Sequence, residues 1–174
     1  MKTIYLDNNA TTQVAPEVLE AMQPYFCQLY GNPSSMHSFG GQVGRAIQQA
    51  REQVANLIGA AADEIIFTSC GTESDNAAIR SALQANPDKR HIVTSRVEHP
   101  AVRSLVTHLG SQGYRVTEIP VDNLGRLDMD RYRVSLSPDT AIVSLMWANN
   151  ETGVLFSVEE AAEIAKSKGI LFHT

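Results

Sequence analysis

Polar segments that directly follow apolar runs hold most of the side chains in this chain that could do chemistry. In residues 68–76, Gly71 would let the backbone approach a ligand closely, and Thr72 stands at the predicted start of a helix. Free N–H groups at a helix start, together with the Thr72 hydroxyl, suit a phosphate group. An ordinary helix cap formed by Thr72 and Asp75 explains the same residues. If a phosphate binds here, we expect Glu73 to turn away from it and bond locally.

Two further segments offer an imidazole and a pair of amides. Pro100 restricts His99 to extended backbone, which would direct the imidazole from a strand end into a cleft, where it could stack on an aromatic cofactor or transfer protons. Asn149 and Asn150 follow another apolar run and could orient a ligand without titrating. A solvated loop histidine and an Asx turn are the simpler alternatives. Three such segments at predicted strand ends are stronger evidence for a binding site than any one of them.

The spacing of the apolar residues predicts the elements that position these segments. Before residue 64 it predicts a short helix at residues 16–26 and a longer one around residues 43–57 that stops near Gly59. Strands are then predicted at residues 64–68, 91–95, 115–120 and 141–146 and from residue 170, with helices at 73–85, 101–112, 128–134 and 158–168. This alternation predicts an α/β fold, a mostly parallel sheet with helices on both faces. Ligands of such sheets bind at the carboxyl ends of the strands.

The composition restricts the classes of partner. The chain has 174 residues, of which 43% are hydrophobic and 19% charged, and a net charge of −5, so we expect a globular protein without a nucleic-acid partner. No run approaches the roughly 20 apolar residues of a membrane span, and we expect a cytoplasmic location without a membrane partner. Cys27 and Cys70 are the only cysteines, and neither His37 nor His173 has paired metal-ligand spacing. We expect two reduced thiols with structural roles and no metal.

Five segments resemble the cysteine desulfurases of the NifS/IscS type, which belong to the class V aminotransferase group of pyridoxal-phosphate enzymes. The segments are YLDNNATT at residues 5–12, GNPSSMH at 31–37, GTESDN at 71–76, EH at 98–99 and NNETG at 149–153. They occur in the family's order and spacing over essentially the whole chain. The resemblance implies pyridoxal 5'-phosphate as cofactor and a homodimeric fold of the aspartate-aminotransferase type, fold type I. It also implies an N-terminal arm at residues 1–15, a helical segment at 16–63 and an incomplete large cofactor-binding α/β domain at 64–174.

The resemblance also implies roles for particular residues. In the family, the position of His99 stacks on the cofactor ring and is a candidate catalytic acid or base. The positions of Gly71 and Thr72 hold the cofactor phosphate, and that of Asn149 lies beside the ring oxygen and the substrate. The loop around Asn32 and the segment at residues 8–11 would lie near the substrate.

The implied activity is that of the N-terminal part of a cysteine desulfurase, which converts L-cysteine to L-alanine and a persulfide for iron–sulfur cluster assembly on a scaffold protein. Up to Thr174 the sequence has no counterpart of the family's Schiff-base lysine, its pyridinium aspartate or its nucleophilic cysteine. Cys70, at the end of a predicted buried strand, is interpreted as a packing residue. We therefore expect the chain alone to be inactive. The alternative is a non-catalytic, truncated or split gene product that needs a partner chain or has no activity.

Overall fold

The computed structural model describes residues 3–174. These residues form two compact units, one up to Phe67 and the other from Thr68 to Thr174. Each unit has its own secondary structure, and the three polar segments discussed above all lie in the second.

The first unit contains two helices, α1 (Pro16–Cys27) and α2 (Ser38–Ile58), and a short 3-10 helix, Ala62–Glu64. The His37 imidazole caps α2, because its Nδ1 accepts a hydrogen bond from the Gly40 N–H at 3.1 Å. The helix ends at Gly59, whose φ of 71° is left-handed and therefore favours glycine. Both helices match the predicted positions.

The strand predicted at residues 64–68 is wrong. Within the described residues, this run pairs with no neighbouring strand, and Ile66 is 81% exposed. The Arg51 guanidinium donates a hydrogen bond to the Ile65 carbonyl and lies 5.0 Å from the centre of the Phe67 ring. A side chain from α2 therefore engages the backbone carbonyl that a β-ladder would have used.

The second unit is a parallel four-stranded sheet in the order β2-β1-β3-β4, which confirms the predicted fold class. The strands are β1 (His91–Ser95), β2 (Arg115–Ile119), β3 (Thr140–Ser144) and β4 (Leu171–His173). The helices are α3 (Gly71–Ala85), α4 (Pro100–Ser111), α5 (Met129–Ser135) and α6 (Val158–Ser167). All of them lie within a few residues of the predicted positions.

The core of this unit lies on both faces of the sheet. Adjacent strand residues point to opposite faces, so Ile92 packs with Ile79 of α3 and Val106 of α4, whereas Val93 packs with the apolar residues of α5 and α6. Helices therefore cover both faces. None of the helices within residues 3–174 has the length and apolar character that a bilayer-crossing segment needs.

His91 is a polar residue among the buried residues of this unit. Its side chain is fully buried, and its ring nitrogens contact hydroxyls on both sides, Thr140 Oγ1 of β3 at 2.8 Å and Thr117 Oγ1 of β2 at 2.8 Å. Burial lowers the pKa of His91 to about 4, and the nearby Arg115 adds to this shift. The imidazole is therefore neutral at pH 7 and joins three strands through its side chain.

Candidate functional site

The strand order shows where a cleft opens at the edge of the sheet. From β1 the chain crosses through α4 to β2 on one side, and from β3 it crosses through α6 to β4 on the other. The two crossovers lie on opposite faces, because α4 and α6 belong to different core clusters. The carboxyl ends of β1 and β3 therefore flank a topological switch point, the usual place for a ligand in an open α/β sheet.

The helix α3 begins at this edge without a side-chain cap. Its N-cap residue, Cys70, makes no capping hydrogen bond, and the first-turn N–H groups of Gly71, Thr72 and Glu73 donate to no oxygen of the described residues. A Cβ at Gly71 would meet no atom within 4 Å, so the space beside this turn is open. The Thr72/Asp75 cap is thus not formed, and the turn keeps its capacity to bind an anion.

The carboxylate of Glu73 turns away from this open space, as expected. Its Oε2 accepts hydrogen bonds from the Ser69 N–H at 2.7 Å and from the Ser69 hydroxyl at 2.6 Å. These two bonds hold the pKa of Glu73 below its usual value. The negative charge of Glu73 is therefore hydrogen-bonded to Ser69, which precedes the helix.

The expectation that Cys70 is a buried packing residue is wrong. Because residues 64–68 form no strand, Cys70 follows an irregular segment and is exposed, as is Cys27. A hydrogen bond from the Glu73 N–H lowers the pKa of the Cys70 thiol, and one from the Ser69 hydroxyl lowers it further. Within residues 3–174, no group of three His, Cys, Asp or Glu side chains has the arrangement of a metal site.

His99 lies at the start of α4, on the rim of the cleft. Its backbone is extended, with ψ of 147°, and Pro100 occupies the first helical position. The His99 Nδ1 accepts a hydrogen bond from the Ala101 N–H at 3.1 Å, so in this arrangement the ring proton of the neutral imidazole is on Nε2. The ring is otherwise exposed and available to a ligand.

Asn149 orders the turn after β3, as the Asx-turn alternative predicted. Its Oδ1 accepts hydrogen bonds from the Glu151 N–H at 3.0 Å, the Thr152 N–H at 2.9 Å and the Thr152 hydroxyl at 3.1 Å. Its Nδ2 donates to the Val97 carbonyl at 3.2 Å, in the turn after β1. Asn149 is only 9% exposed, so its amide both shapes its own turn and ties that turn to the neighbouring one.

Glu98 directly precedes His99, and its local sequence does not indicate a role for it. It is only 6% exposed, and its Oε1 accepts hydrogen bonds from the Ser95 hydroxyl at 2.6 Å and the Met146 N–H at 3.0 Å. Burial raises the pKa of Glu98, and the two hydrogen bonds oppose this shift. The only sequence signal for Glu98 is its position, between the end of a predicted strand and the His99-Pro100 pair.

A cavity of about 200 Å³ lies at this edge of the sheet and is lined by Asp75, Glu98, His99, Ser144 and His173, among others. His173 Nδ1 lies 2.9 Å from Ser144 Oγ, and its Nε2 lies 3.6 Å from Asp75 Oδ1. Burial lowers the pKa of His173, while the Asp75 carboxylate raises it in part. The cavity thus joins a histidine–carboxylate pair, a buried carboxyl and an exposed imidazole.

The Asp75→Asn variant should lower the pKa of His173 further below its usual value. The substitution removes the negative charge that favours the imidazolium and leaves the effect of burial unopposed. Proton NMR titration of the His173 ring measures this shift directly. Asp88→Asn, on an exposed loop, is the matched control, and an unchanged or raised His173 pKa in Asp75→Asn would contradict the pairing.

The structure brings most of the predicted site residues to one edge of the second unit. Gly71 and Thr72 start α3, the helix that carries Asp75 into the cavity lining, and Asn149 bonds to the turn that precedes His99. Asn32 lies in the first unit, where its Oδ1 accepts a hydrogen bond from the Ser34 N–H at 2.9 Å. The segment at residues 8–11 lies in that unit too, and its backbone turns through the Ala10 N–H to the Asp7 carbonyl at 3.2 Å.

Comparison with known proteins places these features in a family. The family model for class V aminotransferases matches residues 4–174. A cysteine desulfurase of Trichormus azollae is 58% identical over 173 residues, which are 99% of this chain and 43% of the relative. The cysteine desulfurase NifS of Azotobacter vinelandii is 57% identical over 175 residues, with 100% of this chain and 44% of the relative covered. The chain thus spans less than half the length of these curated relatives.

Solved structures agree with this assignment. A NifS-like protein superposes with a TM-score of 0.91 at 38% identity. The matched region is 95% of this chain and 46% of the NifS-like chain. The structure of SspA in complex with cysteine gives a TM-score of 0.94 at 35% identity and covers 99% of this chain and 50% of its own. These neighbours confirm the fold type I architecture, and the chain belongs to the class V aminotransferase family.

Proposed function

We propose that this chain is the N-terminal part of a pyridoxal-phosphate-dependent cysteine desulfurase, which converts L-cysteine to L-alanine and a persulfide for iron–sulfur cluster assembly. The observation that carries the proposal is the uncapped first turn of α3 beside the cavity lined by His99. Relatives that are 57–59% identical are cysteine desulfurases, and a structural neighbour was solved in complex with cysteine. Both support the choice of activity and substrate.

The donor set of the first turn fits the phosphate of this cofactor. The Gly71 and Thr72 N–H groups, which have no oxygen acceptor, and the hydroxyl of Thr72 are available there, while the Glu73 N–H contacts the Cys70 thiol. The helix dipole favours an anion at the same place. The glycine at position 71 leaves room for close approach. In the proposed site these groups bind the phosphate, and Glu73 does not oppose it because its carboxylate is held by Ser69.

The cavity residues fit the ring of the cofactor. His99 presents an exposed imidazole at the rim, which can lie against a flat heteroaromatic ring and hold or release a proton at Nε2. The Asn149 turn would lie beside the ring oxygen and the substrate, with its orientation fixed by the hydrogen bonds of the amide. The cofactor, when bound, supplies an electron sink for the reaction at the substrate carbon.

We propose further that the chain by itself has no desulfurase activity. Such enzymes hold the cofactor covalently through a lysine, and none of the three described lysines lines the cavity. Lys166 lies in the last turn of α6, and the Lys168 ammonium donates to the Arg133 and Leu136 carbonyls. Lys2 lies outside the described residues, and Lys89 lies in the loop before β1.

The remaining parts of the proposal concern the whole protein. The arm at residues 1–15 and the helical segment at 16–63 would precede a large cofactor-binding domain that begins at residue 64. Asn32 would contact the substrate, the full-length protein would be a cytoplasmic homodimer, and an iron–sulfur scaffold protein would receive the sulfur. The alternative, a non-catalytic split or truncated product, shares the cofactor site but not the activity.

Ligand binding and complementation test the proposal separately. Pyridoxamine 5'-phosphate has no aldehyde and cannot react with surface lysines, so its binding to the 174-residue chain reports the site alone; pyridoxamine without phosphate is the control. We expect calorimetry to detect binding of the first compound only. Equal or absent binding of the two compounds would refute the phosphate site.

Sulfide release from L-cysteine then decides the activity. We expect none from the chain alone and measurable release when the chain is co-expressed with the remainder of the Azotobacter vinelandii relative. Release by the chain alone would refute its inactivity. Binding of pyridoxamine 5'-phosphate without complementation would favour the non-catalytic alternative.

A further inference from the structure

The geometry points to Glu98 as a positioning residue that joins the turn after β1 to the turn after β3 and thereby fixes His99 and Asn149. By joining the turns, Glu98 gives the cleft a defined shape. The role of His99 and Asn149 as contacts of the cofactor ring rests on the proposed function. Glu98 itself needs no contact with cofactor or substrate.

The backbone ladder between β1 and β3 ends before the cleft. Its last registered pair is Thr94 with Ser144. Beyond that pair the Arg96 N–H donates to the Ile119 carbonyl on the β2 side, and the Leu145 N–H donates to the His173 carbonyl on the β4 side. The sheet therefore divides between β1 and β3, and backbone hydrogen bonds no longer hold the two turns together.

Side chains bridge this division in both directions. Glu98, from the β1 turn, accepts the Met146 N–H at 3.0 Å, a bond between residues 48 apart in sequence. Asn149, from the β3 turn, donates to the Val97 carbonyl at 3.2 Å across 52 residues. The two links cross the gap in opposite senses. His99 directly follows the first bridging residue, and Asn149 is itself the second.

The carboxyl of Glu98 is anchored at one oxygen. The Ser95 hydroxyl donates to the same Oε1 at 2.6 Å, so the side chain is fixed within its own turn before it reaches Met146. A backbone contact from Ser95 also favours the ionised carboxyl. Glu98 lies in the lining of the cavity.

A positioning role of Glu98 can be distinguished from a general role in stability, because the two roles affect ring and phosphate recognition differently. The phosphate contacts would come from the first turn of α3, which makes no hydrogen bond to Glu98. Loss of the bridge should therefore weaken ring recognition and leave phosphate recognition unchanged. Glutamine can supply the same acceptor oxygen, whereas alanine cannot.

The first measurement compares two ligands on three chains: wild type, Glu98→Ala and Glu98→Gln. In Glu98→Ala we expect pyridoxamine 5'-phosphate to bind about tenfold more weakly, since loss of a bridging hydrogen bond is worth roughly that factor, while inorganic phosphate binds as in wild type. Glu98→Gln should remain close to wild type for both ligands. Glu163→Ala, on the exposed face of α6, is the matched control. An equal loss for both ligands in Glu98→Ala would overturn the inference.

The second measurement needs no ligand and is made by NMR on the 174-residue chain. Glu98→Ala should speed hydrogen exchange at the Met146 amide and shift the His99 ring and Asn149 side-chain signals, and Glu98→Gln should restore them. Unchanged signals in Glu98→Ala would overturn the inference even if ligand binding fails. Absence of pyridoxamine 5'-phosphate binding by the wild type would instead refute the proposed function alone. If Glu98→Ala does not fold, Glu98→Asp, shorter by one methylene, replaces it in both measurements.

Discussion

The Thr72→Glu variant should bind pyridoxamine 5'-phosphate at least about a hundredfold more weakly than the wild-type chain, without loss of thermal stability. A carboxylate at the first turn of α3 repels the phosphate and competes for the N–H groups that lack an oxygen acceptor. Loss of two charge-assisted hydrogen bonds, each worth about 1.5–3 kcal/mol, accounts for a factor of this size. Calorimetric titration measures the affinity, and circular dichroism measures the melting temperature.

The unchanged melting temperature expected for Thr72→Glu distinguishes a loss of phosphate binding from a loss of folding. An acidic residue near a helix N-terminus contributes about 0.3–1 kcal/mol of favourable dipole interaction, so a folding defect cannot explain the lost affinity. Thr72→Ser keeps the hydroxyl and is the control, with affinity close to wild type. Undiminished binding by Thr72→Glu would show that the phosphate is held elsewhere.

The free energy of unfolding should fall by as much as about 3 kcal/mol through His91 when the pH is lowered from about 6.5 to about 4. The folded-state pKa of His91 is about 4, against an ordinary value of 6.5, so between these values the unfolded chain binds more protons than the folded one. Acidification in this window therefore favours unfolding, and the effect is fully absent above the unfolded pKa. Urea denaturation at several pH values, followed by circular dichroism, measures it.

A variant pair isolates the contribution of His91 from that of the carboxylates. His91→Gln retains hydrogen-bonding groups near Thr140 and Thr117 but does not titrate, so its stability should depend less on pH across this window than that of wild type. His108→Gln, at an exposed position of α4, should follow the wild-type curve. Identical curves for wild type and His91→Gln would contradict a neutral buried imidazole.

Helices and strands were predictable where the spacing of apolar residues agrees with the residues that begin or end an element. The long helix α2 has an apolar stripe and ends at a glycine with positive φ, and β1 and β3 are β-branched runs that the structure buries completely. The error at residues 64–68 has a physical cause, because a β-branched run becomes a strand only beside a partner. Nothing in the local sequence indicates that Arg51 bonds the Ile65 carbonyl instead.

The site was predictable only in part for a similar reason. His99 and Asn149 stand out because proline and a second amide mark their turns, and both turns lie where the sheet order places a cleft. The partners of Glu98 and His173 are distant in sequence, Met146 by 48 residues and Ser144 by 29. Such pairings follow from the sheet register, which a single sequence does not reveal.

The two ends of β1 are held by different kinds of bond. At the amino end, His91 contacts threonine hydroxyls of both neighbouring strands, at the point where the register between β1 and β3 shifts by one residue before the regular ladder begins at Ile92. At the carboxyl end, the ladder to β3 has stopped, and only the bridges of Glu98 and Asn149 join the turns. Strand pairing and cleft shape can therefore be engineered separately: the turns on the ligand side lie beyond the last ladder pair, Thr94 with Ser144, so their redesign removes no backbone pair between β1 and β3.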